Sequence, residues 1–287
     1  MTTTAALLQP DTLPATDGDA RLRLSERYRL RLDTPLPWNE TLDTLLAHRS
    51  VRAYRPDALP DGTVELLVAA AQSAASSSNL QPWSVVAVED PDRKARLAAL
   101  AGNQKHIVQA PLFLVWLVDL HRLRAIGAER DVPTGALDYL ETFLLGAVDT
   151  ALAAQSAVVA LESLGLGSVY IGGIRNRPTE VAAELDLPAH VFALVGLAVG
   201  YPDPDAPAAV KPRLPQGAVL SRETYDRRGI QDSIDHYDRA LRGFQREQAM
   251  PERDWSDLAT QRVRGPESMS GRDTLRDVLQ GLGFDLR

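Results

Sequence analysis

The chain contains no cysteine, so disulfides, thiolate metal sites, iron–sulfur clusters and a cysteine nucleophile are excluded together. Any redox chemistry has to come from a bound cofactor. Positive charge is the scarcer sign: 31 Lys and Arg stand against 38 Asp and Glu in 287 residues, a net charge of −7. The chain as a whole lacks the basic footprint that nucleic acid or anionic lipid requires, so a cationic pocket has to be local. Long apolar runs are missing as well, since residues 112–118 and 191–199 fall far short of the roughly 20 that span a bilayer and read as buried strands. The first basic residue is Arg21, and the opening MTTTAALLQPDTLP has no charged stretch leading into an apolar one. No secretory leader is expected, the cytoplasm is the expected location, and neither membrane nor nucleic acid is an expected partner. No G-x-G-x-x-G follows a strand, because Tyr170 stands where a third glycine would follow Gly165 and Gly167. Walker A and G-x-S-x-G sequences are absent, and His48, His106, His121, His190 and His236 form no i, i+4 pair. Dinucleotide fold, P-loop, serine hydrolase and zinc helix are therefore poor readings, and no metal site is expected.

What is present has ordinary globular proportions, 45% hydrophobic and 24% charged, with 19 Gly and 19 Pro, enough for a substantial core. Residues 1–20 have no period and read as a frayed end. Residues 21–31, RLRLSERYRLR, read as a strand-like arm or a short helix. Leu42, Leu45 and Leu46 recur at helical spacing behind Asn39, a plausible cap, so HRSVRAY follows a helix end. Val64, Leu67, Val68 and Ala71 mark a helix that stops at SSSN. Segments 83–89, 111–120 and 191–199 are strand-like. Residues 133–164 carry Asp138, Glu141, Asp149 and Glu162 but no Lys or Arg, and a helix this apolar is expected to be buried, with a subunit interface as a good candidate. Past Gly229 the chain becomes charged and amphipathic. Few, separated strands among clustered helices suggest α+β.

Four segments carry chemistry. His48, Arg49 and Arg52 lie within five residues, and Lys211-Pro212-Arg213 holds two more cations. A guanidinium fork and a compact ammonium together suit a phosphate, although spacing alone favours two solvated surface clusters. Ser76, Ser77, Ser78, Asn79 and Gln81 precede a strand and either cradle a ligand or simply form a turn. Gly172-Gly173 beside Tyr170 either admits a planar ligand or makes a tight connection.

In order, HRSVRAY at 48–54, ASSSNLQPWS at 75–84, GNQKH at 102–106, LLGAVDTALAAQ at 144–155, ESLGLGSVYIGGIRN at 162–176, GYP at 200–202, VKPRLP at 210–215 and WSD at 255–257 resemble the nitroreductase superfamily. They resemble most its NADPH-dependent, FMN-containing, oxygen-insensitive nitroreductase and flavin reductase group. The resemblance, covering residues 40–287, implies an α+β fold with a central, mostly antiparallel sheet flanked by helices, an intertwined homodimer and FMN at its interface. It divides the chain into an extension over 1–38, an FMN-binding core over 39–228 and a C-terminal helical extension over 229–287 that binds nucleotide and embraces the dimer. It places His48, Arg49, Ser50, Lys211 and Arg213 at the FMN phosphate and Arg52 beside the flavin. Ser76, Ser77, Ser78 and Gln81, reaching from the partner subunit, and Gln104 are placed at the ring edges or ribityl chain. Tyr170, Ile171, Gly172 and Gly173 are placed beside the ring, and Glu141 in the substrate pocket. For the 2′-phosphate of NADPH the resemblance points to Arg246, while Pro251 replaces a second arginine that Arg253 substitutes, with charged helix surface as the competing reading. The implied activity is ping-pong reduction of nitroaromatics, quinones or free flavins, small-molecule electron acceptors. A flavin-fragmenting or dehalogenating relative, and a non-enzymatic FMN-binding dimer that docks a partner through its basic arm, are the alternatives.

Overall fold

Segments rich in Val, Phe and Trp become strands, and segments with apolar residues three and four apart become helices that cover them. The computed structural model describes residues 17–30 and 36–287. In chain order it contains α1 (Asp17–Tyr28), α2 (Glu40–Leu46), α3 (Thr63–Gln72), β1 (Trp83–Val88), α4 (Pro91–Leu100), α5 (Lys105–Gln109), β2 (Leu112–Asp119) and α6 (His121–Glu129). Then follow α7 (Leu140–Ser163), β3 (Gly167–Ile171), α8 (Pro178–Glu184), β4 (Val191–Gly200), α9 (Ile230–Glu247), α10 (Trp255–Arg262) and α11 (Leu275–Gly281). Two compact units result, one from residues up to Arg49 with Ala209–Arg262, the other from Ser50–Ala208 with Val263–Arg287.

The second unit is built on a four-stranded sheet of order β1-β2-β4-β3, every pair antiparallel, which bears out the α+β expectation. All eight residues of β2 are buried, as a central strand covered on both faces requires. The β2–β4 register slips between Trp116 and Leu117, so that Val195 and Ala193 are paired and Leu194 is bulged. A bulge leaves backbone groups without ladder partners, and the Leu194 carbonyl accepts instead from the Arg175 guanidinium. On one side of the sheet, α7 buries Ala153, Ala157 and Leu161 in a cluster with Leu114, Trp116 and Leu197, and Asp149 and Thr150 are buried on the same helix. Close approach is set by Gly146, where a Cβ would stand 2.8 Å from Val118 Cγ1.

The long helix starts at Leu140 rather than at Pro133. Residues Gly135–Asp138 form a 3-10 turn, fixed by Thr142 Oγ1 donating to the Ala136 carbonyl at 2.7 Å. Its burial is also one-sided: Leu140, Leu144, Val148 and Leu152, four apart, are about half exposed in the single chain. By length and composition α7 is the one described helix that could cross a membrane, yet its inner stripe carries the buried carboxylate of Asp149 and packs on the sheet.

In the first unit α2 begins at Asn39, whose side chain accepts from Leu42 N at 2.9 Å, the expected cap. The amphipathic α9 buries Tyr237, Leu241 and Phe244, and Tyr237 meets Trp255 of α10 edge-on, ring centres 5.4 Å apart. Through Tyr28 the basic run is helical in α1, and three of its arginines are engaged within the unit. Arg23 grips Asp43 with two bonds of 2.8 and 3.1 Å, Arg29 grips Glu247 at 2.8 and 2.7 Å, and Arg27 is buried. The frayed end expected at 1–20 falls mostly outside the described residues.

Candidate cofactor site

The two cationic segments distant in sequence come together in the first unit. α2 ends in Ala47, and the chain leaves it through His48, half-buried, and Arg49, exposed. From the opposite end of the sequence come Lys211 and Arg213, exposed on either side of the buried Pro212. One guanidinium joins them: Arg27 Nη2 donates to the carbonyls of Leu46 and His48, both at 2.8 Å, and Nη1 to that of Lys211 at 2.9 Å. Arg213 N returns a bond to the Arg27 carbonyl at 2.8 Å, and Tyr237 Oη donates to the Pro212 carbonyl at 2.9 Å. Burial pushes the Tyr237 phenol up, against the opposing charges of Arg213 and Arg27. The side chains of Arg49 and Arg213 bond only backbone carbonyls, at 3.2–3.3 Å, so among the described residues no carboxylate neutralises them. This donor set, two forks without a carboxylate partner plus an ammonium, fits a phosphate monoester.

The second unit gathers another set. Ser50 bridges Ser168 and Val51 N donates to the Ser168 carbonyl at 2.8 Å, which lays the segment after HRS beside β3. Arg52 is exposed, and its charge reaches His106 and Tyr54. It adds to burial in holding the His106 imidazole low and opposes the burial that pushes the Tyr54 phenol up. Gln104, at the start of α5, donates through Nε2 to the Ala101 carbonyl at 2.9 Å, and this is where Gly173 passes. A Cβ on Gly173 would stand 2.6 Å from Gln104 Nε2 and collide with the Ala101 carbonyl, so glycine is required there by close approach. Tyr170 remains 37% exposed, whereas the Ile171 side chain belongs to the core and leaves only its backbone to a ligand. Beside Gly172 stand two guanidiniums, 3.5 Å (Arg175) and 3.8 Å (Arg272) from where a Cβ would lie. Burial, and then the charge of Arg272, hold the Arg175 guanidinium below its ordinary range.

The serine loop is shaped by strain and by clamps. Ser78, Asn79 and Gln81 have φ of 49°, 55° and 52°, a conformation non-glycine residues seldom adopt. At one end Ser76 Oγ donates to Asp149 Oδ2 at 2.7 Å while Ser77 N approaches both carboxylate oxygens at 3.3 Å, and Gln81 N donates back to Ser76 Oγ at 2.9 Å. At the other, Arg122 donates to the carbonyls of Gln81 and Trp83 at 3.1 and 3.3 Å and is anchored on Asp119 at 3.3 Å. Ser76 is thereby occupied within the loop, and Ser77, Ser78 and Gln81 are exposed. Among the described residues no hydrogen bond joins this loop to Arg52, Gln104, Gly172 or Gly173, nor to Glu141, exposed at the start of α7.

Residues 45–201 match the nitroreductase family and residues 211–287 the C-terminal domain of the same family. The chain belongs to the nitroreductase family. An FMN reductase (NADPH) of Bacillus subtilis is 36% identical over 252 residues, 86% of this chain and 99% of that protein. An oxygen-insensitive NADPH nitroreductase of Salmonella typhimurium is 42% identical over 187 residues, 64% of this chain and 74% of that protein. The solved structure of B. megaterium NfrA2 superposes with a TM-score of 0.81 at 39% identity, covering 87% of this chain and all of that one.

In this nitroreductase the tail arginines already have partners. Arg246, on α9, pairs with Glu252 through bonds of 3.0 and 2.8 Å. Arg253 Nη2 donates to Gln261 at 2.6 Å, and its N to Gln245 at 2.7 Å. Residues that sequence reasoning missed are Arg27, Asp149, Arg122, Arg175 and Arg272. Asp149 and Arg175 lie inside the segments that carried the resemblance, and a lone acid on an apolar helix was a usable signal. Arg27, within the run read as a strand-like arm or a short helix, gave none.

Proposed function

We propose that this nitroreductase-family chain is an NADPH-dependent oxidoreductase holding one FMN per subunit of a cytoplasmic homodimer. It reduces nitroaromatics, quinones or free flavins. The observation that carries this reading is the convergence of Arg49, Lys211 and Arg213, unneutralised by described carboxylates in the case of the two arginines, about one buried guanidinium. In a chain of net charge −7 such a cluster is a local anion site. His48 completes it, and Ser50 follows in sequence as a further phosphate donor.

When bound, FMN would supply two-electron transfer between NADPH and the acceptor. The chain's residues bind and orient. Arg52 presents a fixed cation where negative charge grows as the ring is reduced. Gln104, Ser77, Ser78 and Gln81 offer hydrogen bonds to ring edge and ribityl chain, with Ser76 holding the loop. Tyr170, the Ile171 backbone, Gly172 and Gly173 lie beside the ring. Glu141 faces the acceptor. Arg246 and Arg253 read the 2′-phosphate. Support for the homodimer comes from the exposed stripe of Leu140, Leu144, Val148 and Leu152, an apolar surface of the kind that subunits bury.

Purification tests the reading. The protein is expected to be yellow, to release its cofactor on denaturation and to release it as FMN. A colourless protein that fails to reconstitute with FMN would refute it.

A further inference from the structure

We propose that Arg27, which precedes both segments matched to the family, is a positioning residue of the phosphate site. Its guanidinium sets the spacing between the residues 46–48 and the residues 211–213. The inference rests on the FMN reading for what the two segments hold. Arg27 is only 6% exposed yet carries a charge, and its fork is occupied by three carbonyls, those of Leu46, His48 and Lys211, at 2.8–2.9 Å. Those carbonyls belong to the two segments that present His48, Arg49, Lys211 and Arg213. Without a planar cation between them, the three acceptors would converge with nothing to satisfy them, and the segments would separate.

The helix that delivers Arg27 is itself fixed. Arg23 to Asp43 and Arg29 to Glu247 tie α1 to α2 and α9, and the Tyr28 carbonyl meets His236 Nε2 at 3.1 Å. The same turn of α1 receives Arg213 N on the Arg27 carbonyl. So α1 touches both cationic segments through one residue, by side chain and by backbone, while Arg49, Lys211 and Arg213 stay exposed.

The test is flavin binding to apo-protein, read by fluorescence quenching with FMN and with riboflavin, which lacks the phosphate. Arg27→Gln keeps donors but removes the charge and the five-donor fork. It is expected to weaken FMN binding about tenfold or more while leaving riboflavin binding within about twofold. In a Lys211→Ala background the same change should weaken FMN binding by less, because both act on one contact. Unchanged FMN affinity, equal losses for FMN and riboflavin, or full additivity with Lys211→Ala would overturn the positioning role. If Arg27→Gln does not fold, Arg27→Lys carries the test, with a smaller loss expected for FMN alone and no selective loss contradicting it. A wild-type protein that binds FMN no better than riboflavin would instead refute the phosphate site, and Arg27's role with it.

Discussion

Replacing Lys211 or Arg213 by Ala removes one charge-assisted contact to the phosphate, about 1.5–3 kcal/mol, or roughly ten- to a hundredfold in FMN affinity. Titration of the apo-protein with FMN reads this directly, and an affinity within twofold of wild type would contradict the placement. Arg52 is different in kind. It lies in the second unit with Gly172 and Gly173, and its charge already reaches His106. Arg52→Ala should retain FMN but lower the flavin midpoint potential by roughly 30 mV, the equivalent of about 1.4 kcal/mol for two electrons, and slow hydride transfer. A potential unchanged in spectroelectrochemical titration would deny the role.

Among the elements, the α9–α10 connection carries the nucleotide preference. Arg246 is held by Glu252, so a 2′-phosphate has to displace that carboxylate. Glu252→Gln should lower KM for NADPH and leave KM for NADH unchanged, while Arg246→Ala should raise KM for NADPH alone. Equal effects on both nucleotides would make Arg246 ordinary surface charge. The connection between α8 and β4 carries a pH dependence. His190 packs edge-on to Phe284, ring centres 6.1 Å apart, and burial followed by the charge of Arg124 holds its imidazole below the usual range. The unfolded chain therefore binds the proton first, and stability should be full above about pH 6.5 and fall as the pH drops below it. His190→Asn, which tolerates the residue's φ of 66°, should flatten that slope in thermal melts between pH 7 and 5, whatever it does to the melting temperature itself.

These elements show what the sequence discloses. Strands rich in Val and Phe and the Asn39 cap are local chemistry and were legible, whereas α3 ends at Gln72, before the expected stop at 76–79. The start of α7 was not, because apolar composition alone does not separate a 3-10 turn from a helix. Nor was Arg27, whose partners at Leu46, His48 and Lys211 are set by tertiary structure. Among apolar helices, composition predicts burial but not against what, so the stripe at Leu140, Leu144, Val148 and Leu152 is visible only once the other face of α7 is seen on the sheet.

For the molecule as a whole, that stripe predicts assembly. Leu144→Glu with Val148→Glu places four charges across a two-fold interface and should convert a dimer to monomers in light scattering, with loss of bound flavin. A dimer that persists would put the interface elsewhere. The central claim, that the chain holds a flavin reduced by NADPH, is tested most directly by anaerobic stopped-flow absorbance of the purified protein. The account predicts that NADPH bleaches the flavin band at about 450 nm in a single phase, and that a quinone or nitrofuran added afterwards restores it without oxygen. A flavin band that NADPH leaves unchanged on the timescale of turnover would contradict it.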